Sequence, residues 1–148
     1  MPSVVSSLPE SLAHWPGYLL AFIAEQTTER FERALVPLEI RSKHASVLYL
    51  IDAEGPMSQR ALGRRLRIDK SPMVGVLDDL ERLRLAERRR SDSDRRIQAV
   101  HLTAKGRRVL ADVTAIADAE NARTFAVLDD AEREQLQELL LRVAEATP

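Results

Sequence analysis

Apolar side chains recur every three or four residues along most of the chain, which is the spacing of one face of an α-helix. The first such run predicts a helix over residues 18–36, with Pro16 suited to its first turn. A second run predicts a helix over residues 42–53, and Gly55 supplies its end signal. The chain is therefore expected to begin with two helices.

A short helix, a turn and a longer helix are predicted next. Ser58 is placed to cap the short helix, and Asp69 or Ser71 to cap the longer one, which ends near Leu83. Pro72 is tolerated in the first turn of the longer helix because its missing N–H would have no partner there anyway. This order is typical of a helix-turn-helix, in which the second helix is the recognition helix for DNA.

After this helix, apolar and polar residues alternate, which is the pattern of a β-strand. Residues 86–90 and 97–102 are predicted to be strands that flank the polar loop 91–96. Thr103 then caps a long fifth helix, and Asp129 opens the last helix as part of a capping box. The predicted fold class is mainly α with a small β-hairpin wing, that is, a winged helix-turn-helix domain with further helices at both ends.

Charge is distributed unevenly, although the net charge of the 148-residue chain is only −1. Residues 58–108 hold 15 Lys and Arg against 7 Asp and Glu, whereas the remainder holds 7 basic and 16 acidic residues. A basic block between acidic flanks indicates a surface for a polyanion, and the flanks limit unspecific binding. The charge pattern therefore predicts a nucleic acid as a partner, and the predicted helix-turn-helix makes double-stranded DNA the expected one.

The basic block contains the residue types that contacts to DNA need. A recognition helix has the width to enter a major groove, and a loop with arginines at its tip reaches the adjacent minor groove. Arg95 and Arg96 have no structural duty at a loop tip, so we expect them to be functional. Arg88 and Arg90 have an alternative role as a charged sheet edge that discourages strand pairing. The expected phosphate contacts are Arg60, Arg64, Arg88, Arg90 and the backbone amides near Ser58.

Other classes of function lack their sequence signatures. No phosphate-binding loop, Gly-x-Ser-x-Gly elbow or dinucleotide-binding glycine pattern occurs, so we do not expect an enzyme. The three histidines are far apart and cysteine is absent, so we expect no metal and no cofactor. No apolar run approaches the roughly 18–20 residues of a membrane span, and residues 1–5 lack the features of a signal peptide. A cytoplasmic protein is the resulting expectation.

The most specific motifs lie at the end of the fourth helix, in the hairpin and at the start of the fifth helix. They read Leu80-Glu81-Arg82-Leu83-Arg84-Leu85-Ala86-Glu87-Arg88, then Asp92-Ser93-Asp94-Arg95-Arg96, then Leu102-Thr103-Ala104-Lys105-Gly106. In this order and spacing the motifs resemble the signatures of the MarR family, the regulators of the multiple-antibiotic-resistance type. Looser resemblance runs from the first helix to the last, so we expect a single MarR-like domain over residues 1–148.

The resemblance implies a transcription regulator, a ligand-responsive repressor that binds pseudo-palindromic DNA operators as a homodimer. Residues 11–37 and 104–148 would form the dimerisation helices, and residues 42–103 the winged helix-turn-helix region. Arg96 would be the arginine of the minor groove, with Asp94 bracing the wing. Regulators of this type commonly bind a small, often aromatic effector between the two regions, and the effector weakens DNA binding.

The chain departs from the family pattern in two turns and in the recognition helix. Arg67 and Arg84 stand where relatives have glycine, and a left-handed backbone there would cost on the order of 1 kcal/mol each. The family often has Thr and Arg where this chain has Pro72 and Gly75. Base readout by this helix is therefore expected to be modest. Its candidates are Lys70, Ser71 and a close approach of the backbone at Gly75.

Four residues are candidates for lining an effector pocket, three from the first helix and one from the second. We favour packing in the core or at a dimer interface for the aromatic residues of the first helix. For the histidine of the second helix, packing or solvent exposure is the favoured interpretation. The four candidates are Trp15, Tyr18, Phe22 and His44.

An alternative function stays open at this point. Asp78 and Asp79 lie on the recognition helix, where relatives are often polar or basic. They are compatible with a winged-helix module that binds another protein or a ligand and has lost DNA readout. The arginines of the wing favour DNA binding, because a module without DNA readout has no reason to keep them in a basic block.

Overall fold

The computed structural model describes residues 7–147 as six α-helices and three short strands. Residues 1–6 and 148 lie outside the described residues, and so does the segment considered above for a signal peptide. One 3-10 turn precedes the first α-helix, and another follows it. In chain order the elements are α1 (Pro16–Leu35), α2 (Ser42–Glu54), β1 (Met57–Ser58), α3 (Gln59–Leu66), α4 (Lys70–Arg82), β2 (Ala86–Arg90), β3 (Gln98–Leu102), α5 (Ala104–Thr124) and α6 (Asp130–Ala146).

Three helices begin with the caps that the sequence predicts, whereas Asp69 stands at the N-cap of α4 without a side-chain capping hydrogen bond. The Ser58 hydroxyl accepts a hydrogen bond from the amide of Ala61 at 3.2 Å, and the Thr103 hydroxyl accepts one from the amide of Gly106 at 2.9 Å. Asp129 and Glu132 form the reciprocal capping box at the start of α6. Each of these bonds satisfies an amide that has no partner within its helix. The predicted fold class is confirmed.

A third strand joins the hairpin that the sequence predicts. The sheet has the order β1-β3-β2 with antiparallel neighbours, and Met57 of β1 lies opposite Val100 of β3. Because β1 has two residues, it shows no alternating pattern that sequence reasoning could detect. The strand follows the end of α2 and pairs with β3 of the wing, so β3 has a partner strand along both of its edges.

The hydrophobic core lies in the winged helix-turn-helix region. Its members come mainly from α2, from one face of α4, and from the strands and the first half of α5, where Leu110 and Val113 are buried. In contrast, Leu35 is the only buried residue that α1 contributes, and α6 contributes none within the described chain. The fully buried large side chains are Leu35, Val47, Leu48, Leu62, Met73, Leu77, Leu80, Leu85 and Val100.

Two arginines in turns have a left-handed backbone conformation. Arg67 ends α3 with φ 52°, and Arg84 follows α4 with φ 60°. Both stand where relatives have glycine, and the structure confirms the left-handed backbone that was considered for them, which glycine adopts without strain. Glu39 also has a positive φ, of 58°, which the sequence did not indicate. The arginine turns fix the angle between α3 and α4 and the path from α4 into β2.

The start of α5 is fastened to the turn after α4. The Thr103 hydroxyl donates to the carbonyl of Arg84 at 2.7 Å, and the Lys105 ammonium donates to the carbonyl of Leu83 at 2.9 Å. Gly106 packs so closely that a Cβ there would lie 2.0 Å from the carbonyl oxygen of Leu85. The recognition helix is thereby joined rigidly to the long helix that follows the wing. No helix among residues 7–147 has the length and apolar character to cross a membrane.

Candidate nucleic-acid interface

An open cleft between α3 and the start of α4 gathers basic side chains. Arg60 and Arg64 lie one turn apart on α3, Arg67 follows in the turn, and Lys70 begins α4. All four are exposed, and Asp69 is the single acidic residue that lines the cleft. Exposed cations gathered along one cleft can neutralise the phosphates of a DNA strand.

The first two turns of α4 present a narrow, small-residue surface. Four residues here belong to the expected DNA interface, three as candidates for base readout together with Pro72, and all four are exposed to solvent. A Cβ placed at Gly75 would meet no atom within 4 Å, so the surface there is open. A helix with small side chains on its outer face lets a partner approach its backbone closely. The four residues are Lys70, Ser71, Pro72 and Gly75.

The loop between β2 and β3 carries the predicted wing residues at its tip. Asp94, Arg95 and Arg96 are exposed. The Asp94 carboxylate accepts a hydrogen bond from the amide of Arg96 at 2.9 Å, and its carbonyl accepts one from the amide of Ile97 at 3.0 Å. Asp94 thus folds the turn that projects the two arginines, and within the described part of the chain neither arginine side chain has an ion-pair partner.

Ser58 caps α3, and Arg90 is the last residue of β2. The Ser58 hydroxyl is occupied by the amide of Ala61, so its contribution to a phosphate contact would be the exposed end of α3 rather than a free hydroxyl. Arg90 is exposed at the end of β2, and within residues 7–147 no carboxylate lies within ion-pair distance of it. Arg90 is therefore available to a phosphate.

Arg88 has a different environment from the one expected for a phosphate contact. Its guanidinium is 2.9 Å from a carboxylate oxygen of Asp78 and also pairs with Glu81. Its backbone amide donates to the second oxygen of Glu81 at 2.9 Å. Its side chain is 20% exposed, whereas Arg90 two residues later is exposed. Sequence reasoning missed these contacts because they depend on how β2 packs against α4.

His44 links α2 to the recognition helix. Its Nδ1 accepts a hydrogen bond from the amide of Arg41 at 3.0 Å, so Nε2 carries the proton and donates to Asp79 at 3.1 Å. Hydrogen bonds from His44 and then from Arg82 lower the pKa of the Asp79 carboxyl from its ordinary value. His44 is buried, in agreement with the packing interpretation.

The four candidates for an effector pocket do not share a cavity in the single chain. Phe22 lines a cleft with residues of α5 and α6, whereas His44 lines another cleft with the C-terminal end of α1. Trp15 is 59% exposed at the start of α1, and Tyr18 stacks with Phe22 at a centroid distance of 6.3 Å. The first cleft extends along α1 to Arg30 and the second begins at Glu29, so the two clefts are neighbours on this helix but contain different candidates.

Comparison with known proteins identifies the family. A model of the MarR family matches residues 39–97, from the turn before α2 to the wing. The regulator CouR from Rhodococcus jostii RHA1, solved with p-coumaroyl-CoA, is 30% identical with a TM-score of 0.80, over 95% of this chain and 99% of that chain. The transcriptional repressor CouR bound to a 23-mer DNA duplex is 32% identical with a TM-score of 0.82, over 94% and 99%. The chain belongs to the MarR family.

A further MarR-family regulator supports this assignment along the full length. A transcriptional regulator from Rhodococcus sp. RHA1 is 29% identical, with a TM-score of 0.81, over 94% of this chain and 100% of that chain. The predictions of a MarR-family transcription regulator and of its winged-helix fold are confirmed. MarR-family proteins are in general regulators rather than enzymes.

Proposed function

We propose that this MarR-family regulator is a homodimeric repressor that reads a pseudo-palindromic operator with α4 in the major groove and the wing in the minor groove. The observation that carries the proposal is that exposed basic side chains form two clusters on different elements of the fold. One is the cleft with Arg60, Arg64 and Lys70, and the other is the wing tip with Arg95 and Arg96. The similarity to CouR, which was solved on a DNA duplex, supports it.

Affinity and specificity come from different parts of this surface. The cations of α3 and its turn neutralise phosphates, so most of the affinity is electrostatic and falls steeply with salt. The start of α4 offers Lys70 and Ser71 to base edges, and the open surface at Gly75 lets the helix sit deep in the groove. With so few base-reading side chains, we expect the readout by α4 to be modest.

The wing is the second element that recognises the DNA sequence. Arg96 enters the minor groove and favours A·T-rich flanks, because a narrow groove concentrates negative potential. Asp94 holds the turn that presents this arginine. We expect Arg95 to contact the neighbouring phosphates.

The dimer is built from residues 11–37 and 104–148, and residues 42–103 form the DNA-binding region. Several large apolar side chains of these outer helices are exposed in the single chain, which favours a second copy as their cover. A lone winged domain offers these helices little to pack against. The exposed apolar residues on the outer segments include Leu12, Leu20, Ile23, Leu139, Leu140, Leu141 and Val143.

An aromatic effector is part of the proposal. CouR was solved with p-coumaroyl-CoA, an aromatic acyl thioester. In this chain the cleft with Phe22 lies at the boundary of α1, α5 and α6, where a bound aromatic group would bias the spacing of the two DNA-binding regions. Calorimetry with p-coumaroyl-CoA and a panel of aromatic acids tests this part. Binding that lowers DNA affinity supports it, and a panel without any binder contradicts it. We propose no catalytic activity for the chain.

The test of the main proposal is selection of duplexes from a random pool by the purified full-length protein. We expect enrichment of a two-fold symmetric sequence whose half-sites lie about one helical turn apart, roughly 10 base pairs. Enrichment of an asymmetric site would contradict binding by a symmetric dimer. Failure to retain any duplex at low salt would contradict DNA binding and favour the alternative of a winged-helix module for another partner.

A further inference from the structure

The recognition helix of this protein carries acidic side chains on the half that follows its DNA-facing start. Asp78 lies one turn after Gly75 on the exposed face, with its side chain 61% exposed, and Glu81 follows at 37%. Carboxylates so near a DNA surface would repel phosphates. Their effect on binding therefore depends on what neutralises them.

Both carboxylates converge on Arg88 of the wing strand. One guanidinium nitrogen lies 2.9 Å from Asp78 and the other pairs with Glu81. The Glu81 carboxylate also accepts the backbone amide of Arg88 at 2.9 Å. Among residues 7–147 only β3 pairs with β2, so β2 is an edge of the sheet and this amide belongs to the edge that β3 does not cover. Glu81 satisfies that amide and so fixes β2 directly to α4.

We infer that Arg88 is a positioning residue that locks the wing to the recognition helix, rather than a residue that contacts DNA. The inference rests on the proposed function. The start of α4 and the tip of the wing contact different grooves of the DNA. They reach the major and the minor groove together only if the angle between α4 and β2 is fixed. Charge-assisted hydrogen bonds that share both oxygens of one carboxylate supply such a fixed geometry. Arg88 also neutralises carboxylates that would otherwise face DNA.

A double-mutant cycle separates this role from a direct contact. The variants are Arg88→Gln, Glu81→Gln and the pair, measured on the duplex recovered by selection. A residue that acts through Glu81 loses its effect when Glu81 is gone, whereas a direct contact has the same effect in both backgrounds. We expect Arg88→Gln to weaken binding about tenfold in the parent but less than about threefold in the Glu81→Gln background.

Arg90→Gln is the matched comparison, because Arg90 lies two residues along the same strand and is exposed. As a direct phosphate contact it should weaken binding by the same factor with and without Glu81→Gln. Equal losses for Arg88→Gln in the two backgrounds would overturn the inference. If Arg88→Gln does not fold, Arg88→Lys replaces it; its single ammonium should give a smaller loss, again only when Glu81 is present.

A measurement without DNA distinguishes failure of this inference from failure of the proposed function. Hydrogen exchange of the free protein reports local opening of the wing. Arg88→Gln and Glu81→Gln should each speed exchange over residues 86–102, and the pair should exchange no faster than the faster single variant. Unchanged exchange in both single variants would overturn the inference even if the parent binds DNA. Faster exchange in a parent that retains no duplex would leave the link between wing and helix standing and reject DNA binding alone.

Discussion

The substitution of glycine by alanine should have opposite effects at two positions of this fold. At Gly106, the added Cβ would lie 2.0 Å from the carbonyl oxygen of Leu85 and 3.0 Å from its carbonyl carbon. Contacts of Cβ atoms essentially never fall below 3.0 Å, so α5 and the turn after α4 would have to separate by about 1 Å. Both groups that clash are backbone, so no side chain is able to rotate away.

The magnitude follows from the bonds that this separation disturbs. Overpacking of this kind costs about 1–3 kcal/mol. The bonds from Thr103 to Arg84 and from Lys105 to Leu83 cross the same contact, and losing them costs about 0.5–1.5 kcal/mol each. The better helix propensity of alanine returns about 1 kcal/mol. We expect Gly106→Ala to destabilise the protein by about 3 kcal/mol.

Gly75→Ala is the control with the same chemical change. Gly75 lies inside α4, and its Cβ would meet no atom within 4 Å. Only the propensity gain applies there, so the variant should be more stable than the parent by up to about 1 kcal/mol. Urea unfolding at one fixed protein concentration measures both variants, because the stability of a dimer depends on concentration. Equal shifts in the two variants would refute the close packing of α5 against the turn.

Three further predictions concern strain, pH and assembly. Arg84→Gly should raise stability by about 0.5–1 kcal/mol, because φ at Arg84 is 60°; a loss of stability in urea unfolding would contradict the strained turn. Asp79→Asn should cost under about 1 kcal/mol at neutral pH, since Asp79 is nearly half exposed. Because the pKa of Asp79 is lowered on folding, that cost should begin to shrink near the ordinary value of 3.8 and should vanish only below the lowered pKa. Unfolding at pH 7 and pH 3 compares the two conditions, and a cost that grows in acid would contradict the pairing. Leu139→Glu on α6, where Leu139 is 46% exposed in the single chain, should shift sedimentation towards the monomer without loss of helical content, and a dimer unchanged at micromolar concentration would contradict an interface there.

Local signals in the sequence predicted the elements of this fold well. Ser58, Thr103 and Asp129 each form the helix cap that their position indicates, because a cap depends on residues three positions apart. The stripe of α4 was equally clear, and Met73, Leu77 and Leu80 are all buried. Strand β1 escaped prediction because a strand of two residues leaves no pattern.

Features that depend on packing between distant elements were not predictable in the same way. Asp78 and Asp79 made the recognition helix look unsuited to DNA, but the structure pairs the first with Arg88 and the second with His44. Arg88 and Arg90 look equivalent in the sequence, and only the position of β2 against α4 distinguishes them. The aromatic residues of α1 could not be assigned to a pocket, since nothing in their spacing indicates which helix lies beside them.

The most direct test of the whole account is the DNA affinity of Arg96→Ala, compared with that of Arg64→Ala. Both are measured on the selected operator and on a scrambled duplex at two salt concentrations. Arg96→Ala should weaken operator binding by about 1–3 kcal/mol and flatten the preference for A·T-rich flanks, whereas Arg64→Ala should weaken binding to both duplexes alike. If Arg96→Ala binds the operator as tightly as the parent does, the wing does not read the minor groove and the proposed interface is wrong.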